Sequence, residues 1–295
     1  MSWRAFPVRN VILVFSACLV CLDRPASALT VTDDLGSELR LDQPARSVIS
    51  LSPHLTELMY SIGAGDRLTG AARGSDYPAA AARLPEIGDS SGLDFERILS
   101  AHPDLVLAWG SGNRTVDIAR LRLLGLRVLV LEARRLEDIP RHLRLLGDLT
   151  GLEEHAHAVA REFEGRVDTL GRRYASRAGI RVLFEIWHRP LFTVNGDHIL
   201  SKVLGLCAAQ NIFAGLPRLA GEVSLEQALL LDPDAIVVGS EADDAAVNNW
   251  LVFSSLRAVR NGNVFAVSAD QIARPTPRLI DAAERMCHDL DKARP

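Results

Sequence analysis

The amino-acid sequence predicts an α/β protein with two similar α/β lobes, joined by a single long helix and enclosing a ligand cleft. Three observations lead to this prediction. Strand-type and helix-type patterns alternate along most of the chain, one long amphipathic segment lies near its middle, and a short unit recurs in each half. Alternation of this kind is typical of parallel sheets covered by helices.

The first 28 residues are predicted to be a secretory signal peptide. Arg4 and Arg9 precede an apolar stretch over residues 10–22, and an A-x-A cleavage signal ends at Ala28. These features in this order predict export to the periplasm and cleavage after Ala28. The alternative is an N-terminal membrane anchor, which would need about 20 apolar residues and is therefore disfavoured.

Composition and charge narrow the class of protein. The chain has 295 residues, a formal net charge of −4 and four cysteines. An acidic surface does not attract nucleic acid or anionic lipid, so neither is an expected partner.

Cys207 and Cys287 remain after signal cleavage, and in an oxidising compartment they indicate one disulfide. Two buried free thiols are the alternative.

Residues 29–137 are predicted to form the first lobe. Its strand segments are short continuous apolar runs, which are typical of strands buried on both faces of a parallel sheet. The predicted elements are a hairpin over 28–41, strands over 48–52, 105–109 and 128–131, and helices over 55–62 and 116–124.

Residues 138–178 interrupt the alternation and are predicted to link the lobes. A helix over 154–177 follows a shorter helical segment near Pro140. At ~1.5 Å per residue the longer helix would extend ~35 Å, which favours a strut between lobes over an ordinary crossover helix. Its apolar positions recur every three or four residues along one stripe: Val159, Phe163, Val167, Leu170 and Tyr174.

Residues 179–295 resume the alternation as the second lobe. Its predicted elements are strands over 182–187, 235–239 and 264–267 and a final helix over 279–290.

The recurring unit supports the similarity of the lobes. Glu96 begins a helical turn that leads to Pro103-Asp104 and an apolar strand, and Glu226 begins the same series before Pro233-Asp234. Such a match predicts the same supersecondary unit in both halves.

The segment 186–198, IWHRPLFTVNGDH, places aromatic residues and histidines directly after a predicted strand. Open α/β sheets bind ligands at the carboxyl ends of their strands, so Trp187 and His188 are predicted to line the cleft. A core indole is the alternative for Trp187. Asn195-Gly196 is interpreted as a turn before the next helix.

A secreted α/β hydrolase is the main alternative from a different class. Its nucleophile elbow, G-x-S-x-G after a strand, is absent, as are P-loop, G-x-G-x-x-G and H-E-x-x-H motifs. We therefore expect a binding function, with no catalytic residues and no catalytic cofactor.

A series of short motifs resembles one family of binding proteins. The motifs are Leu51-Ser52-Pro53, Thr56-Glu57-Leu58, Ser75-Asp76-Tyr77-Pro78, Leu107-Ala108-Trp109 with Gly112-Asn113, Pro190 with Phe192-Thr193, Cys207 with Asn211-Ile212-Phe213, and Pro277-Arg278. Over residues 46–291 the chain resembles the substrate-binding proteins of ABC importers whose lobes are joined by one rigid helix, the helical backbone metal receptor group. This group binds cobalamin, haem and ferric siderophores, and the chain is most similar to its cobalamin binders.

The resemblance implies a monomeric periplasmic protein that captures a corrinoid and delivers it to a permease dimer with its ATPase subunits. Haem or a ferric siderophore is the alternative ligand. Trp109 falls at the ligand-stacking tryptophan of the group, and Cys207 and Cys287 fall at its disulfide pair. Glu96 and Glu226 fall at the two acidic residues that dock onto permease arginines.

The expected ligand contacts come from both lobes. Part of the aromatic cage of the cobalamin binders is missing, and Trp187 is predicted to replace some of it. Residues without a matching aromatic side chain are Gly74, Ser90, Ala220 and Gln271. The predicted ligand-binding residues are Trp109, Trp187, His54, His188, Phe192, Asp270 and Arg274.

The histidines require a separate prediction because imidazole is a common metal ligand. His54 and His188 are expected to approach the ligand from opposite lobes and to touch its periphery, and no direct metal ligand is assigned. His102 and His142 are expected at the surface.

Overall fold

The structure is a computed structural model that describes residues 1, 3, 28–240 and 243–294. The predicted signal peptide therefore lies almost entirely outside the described residues. Among those residues, no helix has both the length and the apolar character needed to cross a membrane.

The first lobe is built on a four-stranded parallel sheet. The predicted hairpin precedes it as β1 (Leu29–Thr32) and β2 (Glu38–Leu41). The remaining strands of the lobe are β3 (Val48–Ser50), β4 (Leu68–Ala71), β5 (Gly88–Asp89), β6 (Gly92–Leu93), β7 (Leu105–Trp109) and β8 (Val128–Leu131). The order across the sheet is β4-β3-β7-β8, and β5 pairs with β6 separately.

The second lobe repeats this topology. Its strands are β9 (Ile180–Glu185), β10 (Phe192–Val194), β11 (Ala209–Asn211), β12 (Ala220–Glu222), β13 (Ala235–Gly239) and β14 (Val264–Val267). The parallel sheet has the order β11-β9-β13-β14, while β10 and β12 form an antiparallel pair. When the four strands of each sheet are numbered along the chain, both sheets have the order 2-1-3-4. The prediction of two similar α/β lobes is confirmed.

Helices cover the sheets and link the lobes. They are α1 (Pro53–Ser61), α2 (Phe95–Ser100), α3 (Thr115–Leu123), α4 (Asp138–Thr150), α5 (Glu153–Tyr174), α6 (Ile199–Leu206), α7 (Leu225–Leu231), α8 (Asp243–Leu251), α9 (Arg257–Arg260), α10 (Ala269–Ala273) and α11 (Leu279–Lys292).

The long helix α5 has the stripe that its sequence predicts. Phe163, Leu170 and Tyr174 are buried, and Val159 and Val167 pack against the same core, which contains residues of both lobes. Its 22 residues span ~33 Å at the usual helical rise. One face of α5 therefore packs in a core that both lobes share.

The C-terminal helix α11 is tied to both α5 and α6. Arg166 on α5 forms ion pairs with Asp281 at 2.7 Å and Glu284 at 2.9 Å. The predicted disulfide is confirmed: it joins Cys207, which follows α6, to Cys287 on α11, with the two Cα atoms 4.8 Å apart. The bond closes a loop of 80 residues within the second lobe.

The recurring Pro-Asp pair has the same structural role in each lobe. Asp104 accepts hydrogen bonds from the backbone N–H groups of Arg46 and Ser47, at 2.8 and 3.0 Å, where β3 begins. Asp234 accepts one from the N–H of Arg181 at 2.8 Å, near the start of β9. Asp104 therefore fixes the register between β7 and β3, and Asp234 fixes the register between β13 and β9.

One predicted strand begins and ends two residues earlier than expected. The sequence predicts a strand over 182–187, whereas β9 ends at Glu185. The N–H of Ile186 donates to the carbonyl of Phe192 at 3.0 Å, and the N–H of Phe192 donates to the carbonyl of Trp187 at 2.8 Å. The chain therefore leaves the parallel sheet and turns back into β10, which places Trp187 on the turn.

Candidate ligand cleft

The predicted aromatic residues lie at the carboxyl ends of strands in opposite lobes. Trp109 is the last residue of β7, and Trp187 follows β9. Both are exposed, with 36% and 64% of their surface accessible. An exposed indole at this edge of a parallel sheet presents an apolar face where α/β proteins bind ligands.

A buried asparagine fixes the backbone around Trp109. The side-chain oxygen of Asn113 accepts a hydrogen bond from the N–H of Trp109 at 2.7 Å, and the N–H of Asn113 donates back to the carbonyl of Trp109 at 3.0 Å. The Asn113 amide also donates to the carbonyl of Leu51 at 3.0 Å. The turn that carries Trp109 is thus attached to the end of β3.

His54 lies against Trp109 and is almost fully buried, with 6% of its surface exposed. Its ring meets the indole edge-on, with the centroids 5.1 Å apart and an angle of 85° between the planes. Its Nδ1 shares a 2.6 Å hydrogen bond with the Ser52 hydroxyl. Burial lowers the pKa of His54 to about 3, so the ring is neutral at physiological pH.

His188 occupies the equivalent position in the second lobe but has different surroundings. Val48 pairs with Leu105 as Val182 pairs with Ala235, and each histidine follows its valine at the same spacing. The Nδ1 atom of His188 lies 3.2 Å from Oε1 of Glu185. This imidazole is only partly buried and has a carboxylate as its hydrogen-bond partner.

Glu185 and Trp250 form a buried pair beneath this turn, and the sequence patterns do not single out either residue. The Trp250 indole N–H donates to Glu185 at 2.5 Å, and Trp250 is fully buried. Burial raises the pKa of Glu185, although the hydrogen bonds from Trp250 and His188 lower it. The signal available in the sequence is an acidic residue at the end of an apolar strand, which requires a polar partner when buried.

Phe192, another predicted contact, is half-buried at the start of β10. It forms an antiparallel bridge with Trp187, and the Trp187 indole N–H donates to the carbonyl of Arg189 at 3.0 Å. These hydrogen bonds hold the turn together while the flat face of Trp187 stays exposed.

Asp270 and Arg274 belong to a network that connects the lobes, here called the interlobe clasp and defined by Glu57, Asp76, Asp270, Arg274 and Arg278. Glu57 on α1 is 1% exposed and pairs with Arg278 at 2.6 Å. Arg274 pairs with Asp76 at 2.8 Å and with Asp270 at 2.5 Å.

Two further contacts complete the interlobe clasp. Arg278 pairs with Asp270 at 2.9 Å, and its guanidinium carbon lies 3.5 Å from the ring centroid of Tyr77. Thr276 donates a hydrogen bond to Glu57. The hydrogen bond to Glu57 raises the pKa of Arg278 above its already high value. This charged network holds the two lobes together.

The predicted docking residues have matching environments. Glu96 and Glu226 are exposed and lie in the first turns of α2 and α7. Asp94 caps α2 by accepting a hydrogen bond from the third helical N–H, and Ser224 caps α7 in the same way. The two carboxylates therefore occupy equivalent positions on the two lobes.

The prediction for His142 is wrong. His142 is 2% exposed rather than at the surface, and its Nε2 lies 2.8 Å from the Asp34 carboxylate. Burial alone would raise the pKa of Asp34, but hydrogen bonds from His142 and Arg141 hold it well below its usual range. The histidine anchors the β1–β2 turn to the first lobe, a contact between distant segments that the local sequence does not reveal.

The two-lobed α/β fold carries an exposed tryptophan at a strand end in each lobe, which is an arrangement suited to ligand binding. The family model described as periplasmic binding protein matches residues 48–270. The chain belongs to this family.

Two comparisons identify similar individual proteins. The vitamin B12-binding protein of Vibrio cholerae is 36% identical over 245 residues, which cover 83% of this chain and 88% of that protein. The vitamin B12-binding protein of Pectobacterium carotovorum is 34% identical over 250 residues, covering 84% and 89%.

Solved structures agree with this assignment. The periplasmic vitamin B12 binding protein BtuF of Vibrio cholerae superposes with a TM-score of 0.80 at 35% identity, covering 85% of this chain and 98% of that one. The periplasmic heme-binding protein BhuT, solved with two hemes, gives a TM-score of 0.75 at 23% identity, covering 85% and 99%. The latter likeness concerns the fold alone.

Proposed function

We propose that this protein is the periplasmic substrate-binding component of an ABC importer and that its ligand is a corrinoid, cobalamin. The observation that carries the proposal is the pair of exposed indoles, Trp109 and Trp187, at the strand ends of opposite lobes. Flat apolar side chains on both sides of a cleft suit a large planar macrocycle, because each indole contributes wide contact area with few rotatable bonds.

The similar proteins favour the same ligand. Relatives with more than 30% identity over most of the chain are vitamin B12-binding proteins. Family membership favours a carrier over the secreted α/β hydrolase, and periplasmic export agrees with the family and with the predicted signal peptide.

Direct titration tests the ligand. Purified protein without its first 28 residues is titrated with cyanocobalamin, haemin and a ferric hydroxamate, followed by calorimetry and visible absorption. We expect saturable binding of one cyanocobalamin per chain, tighter than binding of the other two compounds. Absence of cyanocobalamin binding would reject the corrinoid assignment.

Haem is the second candidate, and the Glu185–His188 pair favours it. A histidine that ligates a metal usually has a carboxylate or carbonyl on its other ring nitrogen, and Glu185 lies 3.2 Å from Nδ1 of His188. If haem is the ligand, haemin should produce a Soret shift that His188→Ala removes. His54→Ala should leave this shift in place, because His54 is buried and bonded to Ser52.

Glu96 and Glu226 are proposed to dock onto the two permease subunits, one from each lobe. Charge pairs across an interface steer association and hold a complex without touching the ligand. The alternative is a purely structural role, in which each carboxylate stabilises its helix by ~0.3–1 kcal/mol through the helix dipole.

Transport assays separate these two roles. Glu96→Ala/Glu226→Ala should retain ligand affinity and lose uptake and stimulation of the transporter ATPase. The matched control is Glu153→Ala/Glu154→Ala, which removes two exposed carboxylates from the first turn of α5. Normal transport by the first double variant, or loss of its ligand affinity, would reject the docking role.

A further inference from the structure

Gly112 lies directly against the six-membered ring of the Trp109 indole. A Cβ atom placed on Gly112 would overlap the six-membered ring of that indole. The φ angle of Gly112 is outside the left-handed region, so other residues can adopt its backbone conformation. Gly112 is therefore required for a steric reason: the indole of Trp109 lies so close to the backbone at position 112 that no side chain fits there.

His54 bounds the indole from a second direction. The two rings meet edge-on with their centroids 5.1 Å apart, and the imidazole is 6% exposed. The Ser52 hydroxyl fixes the imidazole through its 2.6 Å hydrogen bond to Nδ1. Because His54 is packed and hydrogen-bonded, it cannot yield easily when the indole presses against it.

The backbone of Trp109 is held independently of its side chain. Asn113 bonds to both the N–H and the carbonyl of Trp109 and to the carbonyl of Leu51. The main chain of Trp109 and two parts of its indole ring are therefore constrained by described neighbours, while 36% of the residue stays exposed.

We infer that Gly112 and His54 are positioning residues that hold Trp109 in one orientation before the ligand arrives. This inference rests on the proposed function, because it assigns the stacking contact to Trp109. A side chain already held in its binding rotamer loses little conformational entropy when the ligand stacks on it, so affinity increases without any added contact. The effect of each positioning residue on affinity is expected to pass through Trp109.

The main test is a double-mutant cycle with cyanocobalamin as the probe. Gly112→Ala displaces the indole and should weaken binding by about threefold to tenfold. In the Trp109→Ala background the same change should have no further effect, because no indole remains to be displaced. Gly165→Ala is the matched control: it adds a methyl group to open space on α5 and should not change affinity in either background.

His54→Leu extends the cycle to the second positioning residue. It should weaken binding in the wild-type background and have no effect once Trp109 is alanine. Thermal unfolding of each variant separates loss of fold from loss of position, since a general stability defect would lower affinity equally in both backgrounds.

A measurement without ligand tests the inference independently of the ligand assignment. The near-UV circular dichroism of wild type minus that of Trp109→Ala reports how firmly this indole is held. Gly112→Ala should reduce the signal, and Gly165→Ala should preserve it. The inference is overturned if Gly112→Ala leaves the signal unchanged, or if it weakens binding as much without Trp109 as with it. Failure of wild type to bind cyanocobalamin rejects the proposed function, and the circular dichroism still decides the inference.

Discussion

The two lobes share a scaffold but differ at the edges that face the cleft. Where β7 ends in Trp109, the equivalent β13 ends in Gly239. Trp109 is braced by a buried histidine, whereas Trp187 is 64% exposed on a turn and uses its indole N–H for one local hydrogen bond. The repeated unit gives both lobes the same strand order. The strand ends differ, so Trp109 forms a rigid aromatic surface on the first lobe and Trp187 forms an adaptable one on the second.

The largest effect is expected from the interlobe clasp, whose ion pairs join the two lobes. Glu57→Ala leaves Arg278 without its buried carboxylate and should lower the free energy of unfolding by about 3 kcal/mol, as measured in urea. Asp76→Ala is the control, because its side chain is 65% exposed and exposed ion pairs contribute at most about 1 kcal/mol. Equal losses in the two variants would show that the clasp is no more than a surface network.

Removing the rigid aromatic surface should have the next largest effect. Trp109→Ala should weaken corrinoid binding roughly tenfold or more, because one stacked indole contributes about 1–3 kcal/mol through stacking and burial. Calorimetry measures the loss, and Trp109→Phe should recover part of it. Unchanged affinity in Trp109→Ala would remove this residue from the site.

A pH titration of stability should reveal the buried histidines. Burial lowers the pKa of His54 to about 3 and that of His198 to about 4, both below the unfolded value near 6.5. The unfolded chain therefore binds more protons below pH 6.5, so stability falls as the pH decreases.

Between pH 7 and pH 5 the expected loss is about 1–2 kcal/mol for each histidine, measured by urea unfolding. The raised pKa of Glu185 acts in the opposite direction, since the folded state then favours the protonated carboxyl. His54→Gln should flatten the profile, and the exposed His155→Gln should not. A profile unaffected by His54→Gln would contradict the neutral, buried state of this ring.

The adaptable edge should give the smallest effect. Trp187→Ala should weaken corrinoid binding by about twofold to fivefold, less than Trp109→Ala, because an unbraced indole loses conformational freedom when the ligand orders it. Calorimetry on both variants under the same conditions checks the ranking. A larger loss for Trp187 than for Trp109 would reverse the assignment of the rigid and adaptable edges.

Local patterns predicted those strands whose apolar runs are short and continuous. The bounds of β7, β8, β13 and β14 match the predicted segments, because each run is short, continuous and flanked by turn residues. The strand predicted over 182–187 ends two residues too late. Ile186 and Trp187 are as apolar as strand residues, but they form hydrogen bonds with Phe192 of β10.

The sequence predicted the contacts within the candidate site less completely than it predicted the strands. Trp109 and Trp187 were predicted at strand ends, and the structure exposes both. Asp270 and Arg274 remain predicted ligand contacts, but the structure pairs them with each other and with the first lobe. The partners Glu57 and Arg278 are more than 200 residues apart in the chain, a separation that no local pattern can bridge.

By itself, the sequence determined three of the four parallel strands in each lobe, the repeated lobe unit and the pair of cysteines available for a disulfide, because periodicity, turn chemistry and composition are local properties. It did not reveal the edge strands β4 and β11. The tertiary structure decided which of two equivalent histidines is buried, which tryptophan is braced and which charges join the lobes. His54 and His188 follow the equivalent residues Val48 and Val182 at the same spacing, yet one bonds to Ser52 and the other to Glu185. Burial and pairing depend on neighbours that only folding brings within a few ångströms of each other.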